Sequence, residues 1–361
     1  MKIKSLELSQ FRNYEHLKVD FSGQTNLFYG DNAQGKTNIL EALFISATTK
    51  SHRSSRDREL IRFGQEECHI RTVIEKDGAN DQIDFHIRPH KSKGIAINRV
   101  PIHRASDLFG LLRVVLFSPE DLNIIKEGPA LRRRFTDMEL CQLDRIYLSD
   151  LTAYNRVLLQ RNKLLKDIDD RPDWETTLQV WNRQMVDYGS RIIKRREAFV
   201  SELNEIVREI HKNITDGKEN LCLNYEPNVA ADDFSVLLEQ KEIVDRKLHT
   251  STLGPHRDDI LFQINGIDIR KFGSQGQQRS AALSLKLAEI DLVRKTTHDS
   301  PVLLLDDVLS ELDSHRQNDL LKQIRQVQTM ITGTGLDDFE KSKFQIDKTF
   351  LVKEGTVRIL S

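Results

Sequence analysis

The sequence predicts an α/β fold whose chain is interrupted by an inserted, mainly helical second lobe. The apolar period is near two before residue 129, near 3.6 over residues 129–213, and near two again further along the chain. A glycine-rich segment between strand-like and helix-like runs, and an apolar run that ends in two aspartates, indicate the α/β part. We therefore expect a head formed by residues 1–128 and 249–361, and a mainly helical lobe formed by residues 129–248.

The glycine-rich segment follows the apolar residues 27–29 and precedes the helix-like residues 38–44. Its members are Gly30, Asp31, Asn32, Ala33, Gln34, Gly35, Lys36 and Thr37. Glycines allow backbone N–H groups to surround an anion, and the following helix N-terminus adds positive potential. Lys36 would reach the outer phosphates of a nucleotide, and the Thr37 hydroxyl would ligate Mg²⁺. The segment therefore predicts a P-loop, with a glycine-rich helix cap as the alternative.

Composition limits the remaining possibilities. The 361 residues are enough for two cores, and 54 basic against 55 acidic residues leave a net charge of -1, so a polyanionic partner needs a local basic patch. The scattered residues Cys68, Cys141 and Cys222 lack metal-ligand spacing and are typical of reduced thiols. No apolar run approaches the roughly 20 residues of a membrane helix. We expect a soluble, cytoplasmic protein without a signal peptide.

Period-two segments surround the P-loop. We expect strands over residues 3–8, 17–21 and 24–29 in one sheet that ends at the P-loop, and an antiparallel meander over residues 68–98. Residues 114–117 predict a buried strand, and a helix start follows at Ser118 and Pro119. The basic residues 50–58 have no apolar period and predict a mobile loop, either a solvated linker or a phosphate or DNA contact.

The lobe is expected to contain two antiparallel helices. Apolar residues return to one face of a long second helix from Leu178 to Ile210, and residues 171–173 separate it from the first. Trp174 and Trp181 have helical spacing and are expected in the core rather than on a base-stacking surface. Basic clusters lie at residues 132–134, at 161 and 163, and at 194–196; solvated helix faces are the commoner interpretation and DNA contacts the alternative.

The C-terminal part returns to strands. Asn265 and Gly266 predict a hairpin turn between residues 259–264 and 267–270. Residues 271–279 then begin an amphipathic helix, as either an anion site or an ordinary cap. Residues 301–305 predict a buried strand that delivers Asp306, which can hold Mg²⁺, and Asp307, which can orient or deprotonate a water molecule. Residues 310–313 predict the next helix start.

These motifs together resemble the RecF family of bacterial DNA-repair proteins, whose ATPase head is similar to those of ABC transporters and SMC proteins. The resemblance extends over nearly the whole chain and rests on residues 11–14, the P-loop, and residues 252–258, 274–279 and 305–313. It implies a P-loop ABC-type ATPase head with a signature motif and a Walker B strand. It further implies that Ser274, Gly276 and Gln277 contact ATP bound at Lys36 of a second subunit, so that ATP closes a homodimer and hydrolysis releases it. Lys36, Asp306 and Asp307 would be the catalytic residues of a weak, DNA-stimulated ATPase, with Thr37 and Asp306 holding Mg²⁺. The implied partners are single-stranded and gapped DNA, RecR and RecO, and, indirectly, RecA.

Some positions depart from the wider ABC pattern. Gln275 stands where the signature usually has a second glycine, and Asp307 stands where a glutamate is usual. Thr332 stands where transporter ATPases have a histidine, and there is no clear Gln loop near Ser118. These changes favour slow ATP turnover, which would time a step, over the fast turnover of a motor protein. A transporter ATP-binding subunit would have its signature much closer to the P-loop, and an SMC-like structural protein would need hundreds of heptad residues in that gap. A binding module that does not hydrolyse ATP is the third alternative.

Overall fold

The computed structural model describes residues 1–54, 56–167, 172–309, 327–334 and 345–360, together with positions 317, 320 and 324. The strands are β1 (Lys2–Phe11), β2 (Tyr14–Asp20), β3 (Thr25–Tyr29), β4 (Cys68–Lys76), β5 (Ala79–Ile87), β6 (Gly94–Ile97), β7 (Val100–Ile102), β8 (Val114–Phe117), β9 (Leu221–Glu226), β10 (Asp259–Ile264), β11 (Ile267–Asp268), β12 (Val302–Leu305), β13 (Thr329–Gly333), β14 (Lys348–Lys353) and β15 (Thr356–Ile359). The helices are α1 (Lys36–Thr48), α2 (Leu122–Lys126), α3 (Pro129–Leu143), α4 (Arg145–Lys166), α5 (Trp174–Ile214), α6 (Phe234–Leu248), α7 (Ile269–Phe272) and α8 (Gln275–Thr297).

The chain divides into two compact units. Unit 1 comprises Met1–Asp121 and Glu289–Ser361, and unit 2 comprises Leu122–Ala288. The P-loop, Asp306 and Asp307 belong to unit 1, whereas Ser274, Gly276 and Gln277 belong to unit 2. The functional division at residues 129 and 249 stays a prediction.

An antiparallel sheet in unit 1 has the strand order β2-β1-β4-β5-β6-β7. Buried and exposed residues alternate along β4, because this sheet covers a core with one face. The predicted meander over residues 68–98 is confirmed, and it continues into β7. Asp77 and Gly78 both have positive φ and form the predicted turn between β4 and β5.

A second sheet in unit 1 has the strand order β15-β14-β3-β13-β12-β8 and carries the P-loop at the end of β3. Its strands from β14 to β8 are parallel, and β15 is antiparallel to β14. The predicted sheet joining β3 to the two preceding strands is wrong. Nearly every residue of β3 is buried, so this strand needs cover on both faces, whereas β1 and β2 present one polar face.

The two central helices of unit 2 are antiparallel, as predicted. Arg161 near the end of α4 bonds Asn182 early in α5, while Asp144 before α4 bonds Arg195 midway along α5. The 41-residue α5 keeps its apolar face buried, which confirms the predicted long helix. Trp174 and Trp181 pack partly buried against Leu164, Leu165 and Leu178, so their predicted core role is also confirmed.

A small sheet of unit 2 has the order β11-β10-β9. Asn265 and Gly266, with φ of 51° and 80°, form the predicted hairpin turn. The second strand ends at Asp268 rather than residue 270, because the Asp268 side chain accepts a bond from the Arg270 N–H and starts the short helix α7. The helix start predicted at residues 310–313 lies outside the described residues. Within the described part of the chain, no helix has both the length and the apolar character needed to cross a membrane.

Candidate nucleotide-binding site

The P-loop lies between β3 and α1, as the sequence predicts, and its two glycines are required by close contacts. Gly30 has a φ of 152°, and a Cβ there would lie 2.2 Å from the Val352 carbonyl oxygen. Gly35, at φ 115°, is the N-cap of α1, and a Cβ there would lie 2.8 Å from Tyr14 Oη. Only glycine combines these φ angles with such close neighbours. The loop therefore brings backbone N–H groups to a helix N-terminus, where an anion binds favourably.

Lys36 lies within the loop. Its side chain is nearly buried, and Nζ donates to the carbonyl oxygens of Gly30 at 2.6 Å and Asp31 at 3.0 Å. Asp31, Asn32 and Ala33 are exposed around it. The ammonium group is thus held at the centre of an open loop, which suits contact with a phosphate group.

The P-loop and the predicted Walker B strand meet at Thr37. Its Oγ1 donates to Asp306 Oδ1 at 2.9 Å, and Asp306 follows the buried β12. A hydroxyl and a carboxylate are oxygen donors that Mg²⁺ accepts, so these two residues fit that ion. The structure therefore brings Lys36, Thr37 and Asp306 of the predicted site together.

Thr332, at the end of β13, connects the two acidic residues. Its Oγ1 donates to Asp306 Oδ1 at 2.9 Å and accepts the Asp307 N–H at 2.9 Å. Asp307 has a φ of 51°, a left-handed conformation that aspartate tolerates better than most side chains. The Thr332 hydroxyl also lies 3.4 Å from Asp307 Oδ1, so this one side chain contacts both carboxylates and holds the backbone of Asp307.

Burial raises the pKa of Asp306 above its ordinary value, and the charge of Asp307 acts in the same direction. The hydroxyls of Thr37 and Thr332 oppose this rise because they donate to the ionised form. A bound divalent cation would favour the ionised carboxylate still more strongly. A cation bound beside Asp306 would therefore stabilise the charged form of this carboxylate against the cost of burial.

Residues 11–14 support the P-loop from the β1–β2 turn, a role that the sequence did not reveal. Asn13 Nδ2 donates to the Gln34 carbonyl at 2.9 Å, and Tyr14 Oη donates to the Gly35 carbonyl at 3.0 Å. Tyr14 is fully buried, and burial raises its pKa. These two bonds hold the carbonyl groups of Gln34 and Gly35 toward the β1–β2 turn.

Arg12 fixes the helix that follows the loop. Its guanidinium donates two bonds to the buried Glu41 of α1, at 2.6 and 2.9 Å, and a third to the Glu59 carbonyl. Burial raises the pKa of Glu41, but the bonds from Arg12 and Ser51 outweigh it and hold the pKa below its ordinary value. Ser51 and Arg53 belong to the predicted mobile loop, and Arg53 Nη1 donates to Asn38 Oδ1 at 3.1 Å. This part of the loop is therefore bonded to α1.

The turn between β14 and β15 closes over Gln34. The Glu354 N–H donates to Gln34 Oε1 at 2.7 Å, and the Gly355 N–H donates to the Gln34 carbonyl at 3.3 Å. Glu354 and Gly355 come more than 300 residues after the loop, so no local pattern could have identified them.

The predicted signature residues form a capping box at the start of α8 in unit 2. Gln277 N–H donates to Ser274 Oγ at 3.2 Å, and Ser274 N–H donates to Gln277 Oε1 at 3.0 Å. Ser274 and Gly276 are exposed, and a Cβ on Gly276 would lie no closer than 3.8 Å to a described atom, at Ser274 Oγ. The packing of the described chain therefore does not require glycine at position 276.

Two residues missed by the sequence analysis hold this capping box. Glu219 accepts from Gln277 Nε2 at 3.1 Å and is bonded by Nε2 of the buried His211, also at 3.1 Å. The other ring nitrogen of His211 lies 2.9 Å from Ser284 Oγ on α8. A continuous series of bonds therefore links the end of α5 to the signature residues.

Comparison with known proteins identifies the family. A family model described as the RecF/RecN/SMC N terminal domain matches residues 2–355. The DNA replication and repair protein RecF of Agathobacter rectalis is 59% identical over 360 residues, covering 100% of this chain and 99% of that protein. The chain belongs to the RecF family.

Solved structures agree with this assignment. The recombination mediator protein RecF-ATP of the RecFOR pathway matches with a TM-score of 0.93 at 35% identity, over 100% of this chain and 98% of that one. An Smc head domain from Pyrococcus furiosus matches with a TM-score of 0.57 at 16% identity, over 99% and 96% of the two chains, which shows the fold alone. The predicted ABC-type ATPase head fold is confirmed.

In this RecF-family chain, residues 252–258 form a structural anchor within unit 2. Buried Asp258 accepts from Arg196 Nη1 at 2.9 Å, from Tyr225 Oη, and from the Asn228 N–H at 2.8 Å. Burial raises the pKa of Asp258. The Thr252 side chain donates to Asp245 Oδ1 at 2.6 Å. The motif therefore joins α5, α6 and the strands of unit 2.

The basic clusters of unit 2 are only partly available to a polyanion. Arg132, Arg161 and Arg196 are almost fully buried and pair with Asp259, Asp245 and Asp258, at 2.6, 2.7 and 2.9 Å. For these three arginines, both the solvated-face and the DNA-contact interpretations are wrong. Each cluster also contains an exposed cation, namely Arg134, Lys163 and Lys194. Sequence runs of basic residues do not reveal which members have buried acidic partners.

Proposed function

We propose that this chain is an ATP-dependent DNA-binding protein of recombinational repair. ATP binding rests on one observation above all, the 2.9 Å contact of Thr37 Oγ1 with Asp306 Oδ1 beside the Lys36 ammonium. The P-loop backbone would hold the phosphates, with Lys36 neutralising their charge. Thr37 and Asp306 would hold Mg²⁺, which supplies charge neutralisation at the phosphates.

We further propose slow ATP hydrolysis, with Asp307 orienting or deprotonating the attacking water. The backbone of Asp307 is held by Thr332 Oγ1, so its carboxylate starts from a fixed position. Its short side chain reaches less far than a glutamate would, which favours a slow reaction. Asp307→Asn keeps the shape of the side chain and removes its basicity. We expect it to retain ATP binding and to lose turnover measured by phosphate release; unchanged turnover would remove Asp307 from this role.

The signature residues support a homodimer that closes on ATP. Ser274 and Gly276 are exposed on unit 2, together with Phe272 and Arg279, although the capping box holds Ser274 in a defined position. An exposed, ordered hydroxyl beside a glycine suits the close approach of a phosphate group. We propose that Ser274, Gly276 and Gln277 contact ATP bound at Lys36 of the second subunit.

Similarity to proteins named DNA replication and repair protein RecF, and to RecF-ATP of the RecFOR pathway, supports a role in that pathway. We propose binding to single-stranded and gapped duplex DNA, cooperation with RecR and RecO in loading RecA, and a cytoplasmic location. DNA binding should weaken steeply with added salt, because contacts to phosphates release counterions.

Sedimentation velocity with gapped duplex DNA tests the proposal. The wild type is expected to dimerise on addition of ATP and Mg²⁺. Lys36→Met should lose ATP binding and dimerisation, while Ser274→Arg should keep ATP binding and lose dimerisation. A wild-type protein that binds ATP and stays monomeric would refute the dimer, and one that binds no ATP would refute the nucleotide site itself.

A further inference from the structure

A cluster of potential metal ligands lies on the antiparallel sheet of unit 1, apart from the P-loop strand. Its members are Glu67, His69 and His86, and their ligand atoms all lie within 4.8 Å of one another. His69 and His86 are direct cross-strand partners in β4 and β5, and their rings stack with centroids 4.2 Å apart. Both imidazoles therefore project from the same face of the sheet.

The Glu67 carboxylate brings the two rings to a common point. Its Oε2 lies 2.8 Å from His86 Nε2, and its Oε1 lies 3.5 Å from His69 Nε2. The intervening Cys68 is fully buried, and adjacent residues of a strand point to opposite faces of the sheet, so its thiol is not available as a ligand.

We propose that Glu67, His69 and His86 bind a divalent transition-metal ion of the Zn²⁺ class. Two imidazole nitrogens and a carboxylate oxygen are a preferred ligand set for such ions. Ligand atoms of a tetrahedral zinc site are about 3.4 Å apart, so small side-chain rotations bring the three groups to that spacing. The side chains are about 30–50% exposed, which leaves the remaining coordination positions to water.

Arg88 competes with the metal ion for this cluster. Its Nε lies 3.4 Å from Glu67 Oε2 and 3.0 Å from His86 Nε2. The neighbouring charges along the strands are paired with one another, Arg71 with Asp84 at 2.6 Å and with Glu7 at 3.7 Å. Arg88 is therefore the cation that a metal ion must displace, and its removal should increase metal affinity.

The site is tested by titrating tag-free, chelator-treated protein with Zn²⁺ in a calorimeter at one fixed pH near neutrality, because metal affinity depends on pH. An excess of Mg²⁺ keeps Zn²⁺ from the oxygen ligands near Thr37, which lack imidazole. Co²⁺ replaces Zn²⁺ in a parallel absorption titration, because its visible bands respond to the ligands and the coordination geometry, whereas Zn²⁺ has no such bands. His16→Ala is the matched control, since His16 is exposed and lies in the same cross-strand row, with Ser9 between it and His69.

We expect one Zn²⁺ per chain, with affinity lowered at least about tenfold in His69→Ala and in His86→Ala. His16→Ala should bind as the wild type does, and Arg88→Ala should bind more tightly. Absence of Zn²⁺ binding by the wild type, or equal affinity in wild type and His69→Ala, would overturn the proposal. An unchanged affinity in Arg88→Ala would overturn the competing role of that residue.

Discussion

Thr332 offers a sharp test of the site because one hydroxyl connects both acidic residues. Thr332→Val keeps the shape of a fully buried side chain and removes two bonds, one to the Asp306 carboxylate and one from the Asp307 N–H. A bond to a charged group contributes about 1.5–3 kcal/mol, and an unsatisfied N–H costs about 1–3 kcal/mol. Asp306 keeps its bond from Thr37, so we expect a loss of about 2–4 kcal/mol in the free energy of unfolding.

Thr329→Val provides the control within the same strand. Thr329 is equally buried, but among the described residues its hydroxyl donates to the Val327 carbonyl alone, at 3.0 Å, so its loss should cost about 1 kcal/mol. Urea unfolding is followed by far-UV circular dichroism, because both tryptophans lie in unit 2 and their fluorescence reports that unit alone. Phosphate release is measured in parallel and should fall only in Thr332→Val. Equal midpoints and equal turnover in the two variants would refute the proposed role of Thr332.

Three further predictions concern unit 2. Arg196→Met leaves the charge of the buried Asp258 without its cationic partner and should lower the free energy of unfolding, measured in urea, by about 3–5 kcal/mol. The control Arg195→Met breaks a more exposed ion pair and should cost under about 1 kcal/mol. Similar costs for the two variants would contradict the burial argument. Burial lowers the pKa of His256 to about 4. As the pH falls, the unfolded chain therefore takes up a proton on this residue near pH 6.5, before the folded chain does. The free energy of unfolding should fall by at most about 3 kcal/mol as the pH is lowered from 6.5 to 4. A His256→Gln variant should show a shallower pH dependence of its unfolding midpoint, and an unchanged slope would assign the effect to other groups. Gly276→Ala should leave the melting temperature unchanged and weaken dimerisation on ATP in sedimentation, because among the described residues its Cβ would make only an ordinary contact, 3.8 Å from Ser274 Oγ. A lowered melting temperature would show a packing role instead.

Local sequence patterns predicted the P-loop, the buried strand before Asp306, the meander and the long helix. Each depends on residues close together in the chain, namely glycines at fixed spacing, alternating strand residues or helical periodicity. The assignment of β3 to the sheet of β1 and β2 failed because strand pairing is decided by burial on both faces, and the partners of β3 come some 300 residues later. Sequence proximity is a poor guide where a parallel sheet joins distant segments.

The supports of the site were largely hidden from the sequence. Tyr14, Glu41 and Glu354 act on the P-loop and its helix through contacts that only folding creates. Arg196 belongs to a basic run that is typical of a helix surface, but its acidic partner Asp258 stands 62 residues away and draws it into the core. The chemistry of a P-loop site is therefore readable from its motif, whereas the residues that hold it in shape are not.

The central claim, an ATP site completed by a second subunit, is tested most directly by mixing two inactive variants. Lys36→Met lacks the P-loop lysine but keeps its signature residues, and Ser274→Arg has the opposite defect. In a mixed dimer, Lys36 of one subunit and Ser274 of the other would form one intact site. Sedimentation with ATP and Mg²⁺ should find each variant monomeric alone and a dimer in the equimolar mixture. A mixture that stays monomeric while the wild type dimerises, or a Ser274→Arg variant that dimerises alone, would contradict the account.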